Sequence, residues 1–208
     1  MTPEQREKLT HNPGIICIIG PEGSGKSLLA DTLSQSLNIP RVSTGGMLRA
    51  IDRDTSHPLY TVVHDMFEKH VYLDATTLLE VVADRFKQPD IEEGCVLDGG
   101  FRTVDEIHGF SRMLLEADRV MSVTIIELMV PREICIARII AGNRGRTDDS
   151  PEAIELRLGE FYRTYEKRIA LIKASDYSHL EIDAAGDIQS VFDAVVSELH
   201  SRGKIVIE

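Results

Sequence analysis

The chain has 208 residues, 42% of them hydrophobic, which suffices for one well-buried core but is short for two full domains. With 34 acidic against 23 basic residues the net charge is -11, so neither a nucleic acid nor an anionic membrane suits it as a main partner, because phosphate backbones are held by clustered positive charge. Three scattered cysteines, Cys17, Cys95 and Cys135, offer no C-x-x-C pair and no histidine at ligand spacing; they read as core thiols of a reducing compartment, with no zinc expected.

Residues 1 to 14 are polar, carry both charge signs and lack an apolar run, so they are expected to form a short helical lead-in ended by Asn12-Pro13-Gly14. They fit neither a signal peptide nor a membrane span, and a soluble, cytoplasmic protein is expected. Next, Ile15 to Ile19 run straight into Gly20-Pro21-Glu22-Gly23-Ser24-Gly25-Lys26-Ser27, a G-x-x-x-x-G-K-S pattern, and Leu28, Leu29, Leu33 and Leu37 follow at helical spacing. Strand, glycine turn and helix in that order let successive backbone N–H groups converge on phosphate oxygens at a helix N-terminus. Lys26 supplies a mobile ammonium for the β and γ phosphates, and the Ser27 hydroxyl is a candidate Mg2+ ligand. The pattern therefore predicts a bound nucleoside triphosphate.

Arg41-Val42 is a short strand candidate, and Thr44 is placed to cap a helix carrying Met47, Leu48 and Ile51 inward with Arg49 in its second turn. Two short amphipathic helices are predicted over Pro58 to His70 and after Asp74, the latter bearing Leu78, Leu79, Val82 and Phe86. The histidines His57, His64, His70 and His108 show no metal-ligand spacing. Cys95-Val96-Leu97-Asp98 is a buried strand ending in a carboxylate, which serves either to order Mg2+ beside the phosphate loop or to cap the turn Gly99-Gly100. Thr103-Val104-Asp105-Glu106 has the T-x-x-E spacing of a capping box, so Arg102 is held at the mouth of the sheet.

Ser122 to Val130 is a nearly all-apolar strand, Pro131 opens a helix with Ile134, Arg138 and Ile139, and a loop of two arginines and two aspartates, Arg144, Arg146, Asp148 and Asp149, follows. From Ser150 the series Ile154, Leu158, Phe161, Tyr165, Ile169, Ile172 predicts one long helix; Leu180 to Ile182 is the last strand and Ile188 to Leu199 the last helix. Strands alternating with helices predict an α/β fold with a parallel sheet of about five strands. Arg49, Arg102, Arg138, Arg144, Arg146 and Arg157 all fall near element ends. On an acidic chain, several planar bidentate phosphate binders around a phosphate loop suggest two phosphorylated ligands, the alternative for any one of them being a surface pair such as Arg157 with Glu160.

The order G-P-E-G-S-G-K-S, S-T-G-G-M-L-R, V-L-D-G-G-F-R-T and R-x-x-x-x-x-R-G-R-T-D-D, with Arg157 beyond it, resembles adenylate kinase and its nucleoside monophosphate kinase relatives from Ile15 to about Val196. The resemblance implies a three-layer P-loop NTPase fold, one domain over residues 1–208 with an acceptor-binding flap over about 43–73 and a short lid over about 141–149. It implies reversible transfer of the γ-phosphoryl of Mg-ATP to AMP by a monomer. Carried over by position, Gly20, Gly23, Ser24, Gly25, Lys26, Ser27 and Leu28 hold the ATP phosphates and Arg138 lies against the adenine. Thr44, Arg49, Tyr72, Gly99, Arg102 and Glu106 serve AMP, Asp98 with Ser27 orders Mg2+, and Arg144, Arg146 and Arg157 reach the transferred phosphoryl while Asp148 and Asp149 support the closed lid.

The chain departs from that pattern in four places. Ser27-Leu28 stands for the usual G-T, Gly46 for an acidic residue, Gly100-Phe101 for the F-P before the arginine, and Glu106 for the glutamine that reads adenine. A carboxylate accepts from the adenine amino group but cannot donate to the neighbouring ring nitrogen, so Glu106 suits guanine better, whereas Thr44 suits the adenylate type. The alternatives are therefore a kinase of GMP or a pyrimidine monophosphate, or a nucleotide-binding regulator without efficient transfer.

Overall fold

The computed structural model describes residues 9–142 and 150–207. Its centre is a five-stranded parallel sheet in the order β3-β4-β2-β5-β6, formed by β2 (Gly14–Ile19), β3 (Arg41–Ser43), β4 (Gly94–Asp98), β5 (Val123–Met129) and β6 (Ser178–Asp183). β2, the middle strand, is buried at every position, as a β-branched run covered on both faces must be. A separate two-stranded antiparallel sheet joins β1 (Leu9–His11) to β7 (Ile205–Ile207), pairing Thr10 with Val206. Leu9 to His11 were expected to be helical, and β7 was not foreseen; strands of three residues carry too little alternation to be read locally.

Helices cover both faces of the sheet. On one side α1 (Lys26–Leu37) and α9 (Ile188–Ser201) pack Leu29, Leu33, Val191 and Val195 against Ile16, Ile18 and Val96. On the other, α2 (Thr44–Arg53), α4 (Ala75–Phe86) and α5 (Val104–Glu116) bury Leu48, Phe86 and Phe110 against Cys17, Cys95 and Ile125. α3 (Tyr60–Glu68), α6 (Arg132–Gly142), α7 (Pro151–Arg163) and α8 (Tyr165–Ala174) complete the shell. All three cysteines are buried thiols, and burial pushes Cys95 up to about 12. Among the described residues no helix is long and apolar enough to cross a membrane.

The caps at Asp74 and Thr103 form as the sequence predicts, accepting from Thr77 N and Glu106 N at 2.9 and 3.1 Å. The cap of α2 is Ser43 rather than Thr44, which leaves the Thr44 hydroxyl to face Asp98 and Arg102. The single long helix expected from Ser150 breaks at Thr164 into α7 and α8. Arg168 explains the break: its guanidinium donates to Phe161 O at 2.8 Å, replacing the N–H that a continuous helix would offer that carbonyl, and its Nε donates to Thr164 Oγ1 at 3.1 Å.

Candidate active site

The chain passes from β2 across to the edge at β3, returns through β4, and then continues on the opposite side at β5, so the crevice beyond the C-terminal ends of these strands lies at a switch in strand order. A cleft of about 470 Å³ occupies that crevice, a size that fits a nucleotide-class ligand. Its walls include Gly20, Gly23, Gly25, Lys26, Ser27 and Leu28 on one side, Arg49, Tyr72, Gly99 and Arg102 on the other, and Asp98, Arg138 and Arg157 between.

The phosphate side is built by the loop between β2 and α1. Gly25, the N-cap of α1, sits at φ 93°, a left-handed conformation that costs a residue with a Cβ about 1–2 kcal/mol. α2, α4, α5, α7 and α9 each carry a side-chain cap, whereas no side chain accepts from the first turn of α1, and that turn contains no acidic residue. Those N–H groups face the cleft as donors for an anion, with the helix dipole adding its positive end. Lys26 Nζ is parked 3.0 Å from Pro21 O at the same loop. Ser24 is buried behind it, and its hydroxyl has no hydrogen-bond partner. Leu28 lies in the wall with 55% of its surface exposed, an apolar contact where the resemblance expects a hydroxyl.

The opposite side is organised around Arg102. Its NH2 donates to Thr44 Oγ1 at 3.2 Å, Thr44 Oγ1 donates to Asp98 O at 3.3 Å, and the guanidinium lies 5.8 Å over the Tyr72 ring, within cation–π range. Gly99 makes this possible: at φ 86°, a Cβ there would meet Arg102 NH2 at 2.8 Å and Thr44 Oγ1 at 2.9 Å. Arg49 folds back so that its guanidinium nitrogens come within 3.3 Å of where a Cβ on Gly45 would stand. Thr44 itself is buried, with its hydroxyl against Arg102.

Glu106, expected from the resemblance to read the base, has its carboxylate at the start of α5. Its Oε2 accepts from Arg102 N at 3.1 Å and its Oε1 from Thr103 Oγ1 at 3.3 Å, so both oxygens are taken up there, the backbone donor being the residue before the N-cap and not the Thr103 N of a reciprocal capping box. The side chain is buried, and burial raises its carboxyl above the ordinary range against the opposing pull of Arg102. What it contributes to the site is the backbone of Arg102.

Arg138, expected to lie against the adenine, stands in the cleft wall. It donates to Ala184 O, Ala185 O and Gly186 O at 2.8–2.9 Å, so it ties the loop before α9 to the cleft wall. Arg157 pairs with Glu22, and Glu160, the surface partner considered from sequence, instead pairs with Arg163 at 2.6 Å. Arg144, Arg146, Asp148 and Asp149 lie outside the described residues.

The donor set at Asp98 suits a hard divalent cation with its waters. Asp98 Oδ1 accepts from Ser27 Oγ at 3.2 Å, so a carboxylate and a hydroxyl converge at the foot of the phosphate loop. Sequence reasoning missed two arginines: Arg41, ion-paired to Asp98, and Arg168, which is 1% exposed. Neither belongs to a motif, and Arg41 reads locally as an edge-strand residue. A Glu127–His179–Tyr165 cluster, with His179 Nε2 at 2.9 Å from Glu127 Oε2, lies outside the cleft.

A phosphate loop opening α1, a cationic wall opposite and a carboxylate–hydroxyl pair between them define a P-loop phosphotransferase. The adenylate kinase family model matches residues 18–176. A protein from Cyanothece sp. named adenylate kinase is 31% identical over 199 residues, spanning 88% of this chain and 97% of its own length. Adenylate kinases from Rhodopirellula baltica and Corynebacterium glutamicum are each 32% identical, over 74% and 85% of this chain and 77% and 93% of their own. The chain belongs to the adenylate kinase family.

Proposed function

We propose that this protein reversibly transfers the γ-phosphoryl of Mg-ATP to AMP, giving two ADP. The observation that carries this reading is that a phosphate loop and an independent arginine site, Arg102 with Thr44 and Tyr72, face each other across one cleft on the same sheet edge. One triphosphate and one monophosphate can then lie with the donor γ-phosphorus between them.

Transfer of this kind needs alignment, charge neutralisation and exclusion of water more than covalent help. Lys26 releases Pro21 O and turns to the β and γ phosphates, with Gly23 to Leu28 around them. Arg102, aimed by Thr44, Gly99 and Glu106, holds the acceptor phosphate together with Arg49. Arg157 and the lid arginines Arg144 and Arg146 neutralise the equatorial oxygens as the flap over 43–73 and the lid over 141–149 close. Asp98 and Ser27 would hold Mg2+ through water, and the ion would supply charge neutralisation for the phosphates. The reading includes a monomer in the cytoplasm, and the three unbridged cysteines suit a reducing compartment.

The deciding experiment is a coupled assay of Mg-ATP with AMP, GMP, CMP and UMP. AMP should be preferred. Turnover of GMP above AMP would move the acceptor assignment to guanine, and no turnover with any of them despite ATP binding would overturn the kinase reading.

A further inference from the structure

We propose that Arg41 is a positioning residue that holds the Asp98 carboxylate in a permanent ion pair and thereby weakens the enzyme's grip on the nucleotide-bound divalent cation. The inference rests on the reading above, in which Asp98 orders that cation.

The argument begins with strand register. Ser43 stands directly opposite Asp98 in the β3–β4 pair and Arg41 opposite Val96, so Arg41, Ser43 and Asp98 share one face of the sheet. That face is the one covered by α1, on which Ser27 and Asp31 are one helical turn apart and present the same side. The four side chains consequently close a circuit. Ser27 Oγ donates to Asp98 Oδ1 at 3.2 Å, Arg41 NH2 is hydrogen-bonded to Asp98 Oδ2, and Arg41 NH1 donates to Asp31 Oδ1 at 2.5 Å. Ser43 Oγ adds a contact to Asp98 Oδ2 at 3.3 Å. Asp98 is 4% exposed and Arg41 27%, so water screens the carboxylate end of the pair little and the Arg41–Asp31 end more.

Two consequences follow from charge. Both Asp98 oxygens are fixed by protein donors, so its position is set before nucleotide arrives. The carboxylate also meets an incoming cation as half of a neutral pair, with Arg41 itself balanced by Asp31. A divalent ion at the foot of the loop therefore feels less of the Asp98 charge than it would feel from an unpaired carboxylate, and Arg41 stands in for part of its neutralising role.

The test measures Mn2+ affinity of the full chain saturated with a β,γ-imido ATP analogue, read from the spin-resonance signal of unbound Mn2+. Arg41→Gln should tighten Mn2+ binding on the order of tenfold, because removing one nearby positive charge favours a second. Asp31→Asn should move it the opposite way, weakening it a few-fold, since Arg41 then bears on the cation uncompensated. Loss of packing would weaken binding in both variants, so opposite signs separate the electrostatic role from a structural one. Unchanged or weaker Mn2+ binding in folded Arg41→Gln overturns the proposal; should that variant not fold, unchanged or tighter binding in Asp31→Asn overturns it. Asp98→Asn distinguishes the layers: if it loses Mn2+ affinity while Arg41→Gln does not change, only the role of Arg41 is wrong. If it leaves affinity intact, the assignment of Asp98 fails and this inference fails with it.

Discussion

Arg157 Nε lies 2.7 Å from Glu22 Oε2, an ion pair between helix α7 and the phosphate loop itself, with side chains only 15% and 20% exposed. A carboxylate inside a phosphate-binding loop competes with the ligand for the same cation. An arriving triphosphate meets the negative charge of Glu22 and must draw Arg157 towards its own oxygens. Glu22→Gln should therefore bind ATP a few-fold more tightly, measured by calorimetric titration. Unchanged or weaker binding would mean that Glu22 presents Arg157 to the phosphates and does not withhold it. Arg157→Ala should lower kcat by about 10²–10³, the usual cost of removing one donor to developing charge, with little change in melting temperature.

Arg102 is proposed above to hold the acceptor phosphate. Arg102→Ala should reduce kcat/KM for AMP by orders of magnitude while ATP affinity stays close to that of the wild type, because the residue stands on the acceptor wall. Thr44→Val keeps the shape but removes the hydroxyl that receives Arg102, so about 1 kcal/mol should appear as a several-fold rise in the KM for AMP. Equal losses on the ATP side would contradict the division of the cleft into two walls.

Gly99→Ala tests the turn beneath that anchor. Its φ of 86° is a left-handed conformation, and the added methyl would collide with Arg102 NH2 and Thr44 Oγ1. A loss of about 1–2 kcal/mol in denaturant unfolding is expected from the backbone alone. Acceptor binding should fall further than stability does, since the clash lands on the anchoring guanidinium.

Much of this site is legible in the sequence, because its parts are local. The β2–loop–α1 unit is contiguous, the Thr103–Glu106 cap obeys a fixed spacing, and Asp98 ends a recognisable strand. The pairs that tune the site are not local. Glu22 with Arg157 and Arg41 with Asp98 join elements distant along the chain, Arg41 with Asp31 joins a helix to the strand that follows it, and nothing in their neighbours' spacing reports these pairs. Glu106 shows a different limit: one residue satisfies two sequence patterns, a cap and a base reader, and its spacing alone does not say that its oxygens stand at Arg102 N and Thr103 Oγ1.

That placement gives Glu106 a pH signature. Its carboxyl is raised in the folded chain, chiefly by burial, above the value it has when unfolded. Between those two values the native state holds more protons, so stability is highest below the unfolded value and is lost as pH rises through the folded one. Glu106→Gln keeps an acceptor for Arg102 N without the buried charge. It should therefore raise the melting temperature at neutral pH and flatten the pH dependence just above the ordinary carboxylate range. A lower melting temperature at pH 7 would mean that attraction to Arg102 outweighs burial there.

Arg168 holds the turn that precedes Arg102. The turn before Arg102 lacks the proline of the family pattern, and Phe101 takes its place at φ 53°, a left-handed conformation that a bulky residue adopts only under constraint. Arg168 supplies the constraint: NH1 donates to Phe101 O at 2.9 Å, NH2 to Phe161 O at 2.8 Å, and the guanidinium lies 4.6 Å over the Phe161 ring. Arg168→Met preserves much of the volume but orphans two buried carbonyls, so about 2–5 kcal/mol of stability should be lost. Arg168→Lys keeps the charge without the fork that spans both carbonyls, and should fold with a smaller loss. In that milder variant the KM for AMP should rise while ATP affinity holds, because the misplaced element is the turn that carries Arg102. A uniform loss on both substrates would place Arg168 in the scaffold alone, and an unchanged KM for AMP would show that Phe101 holds its turn without it.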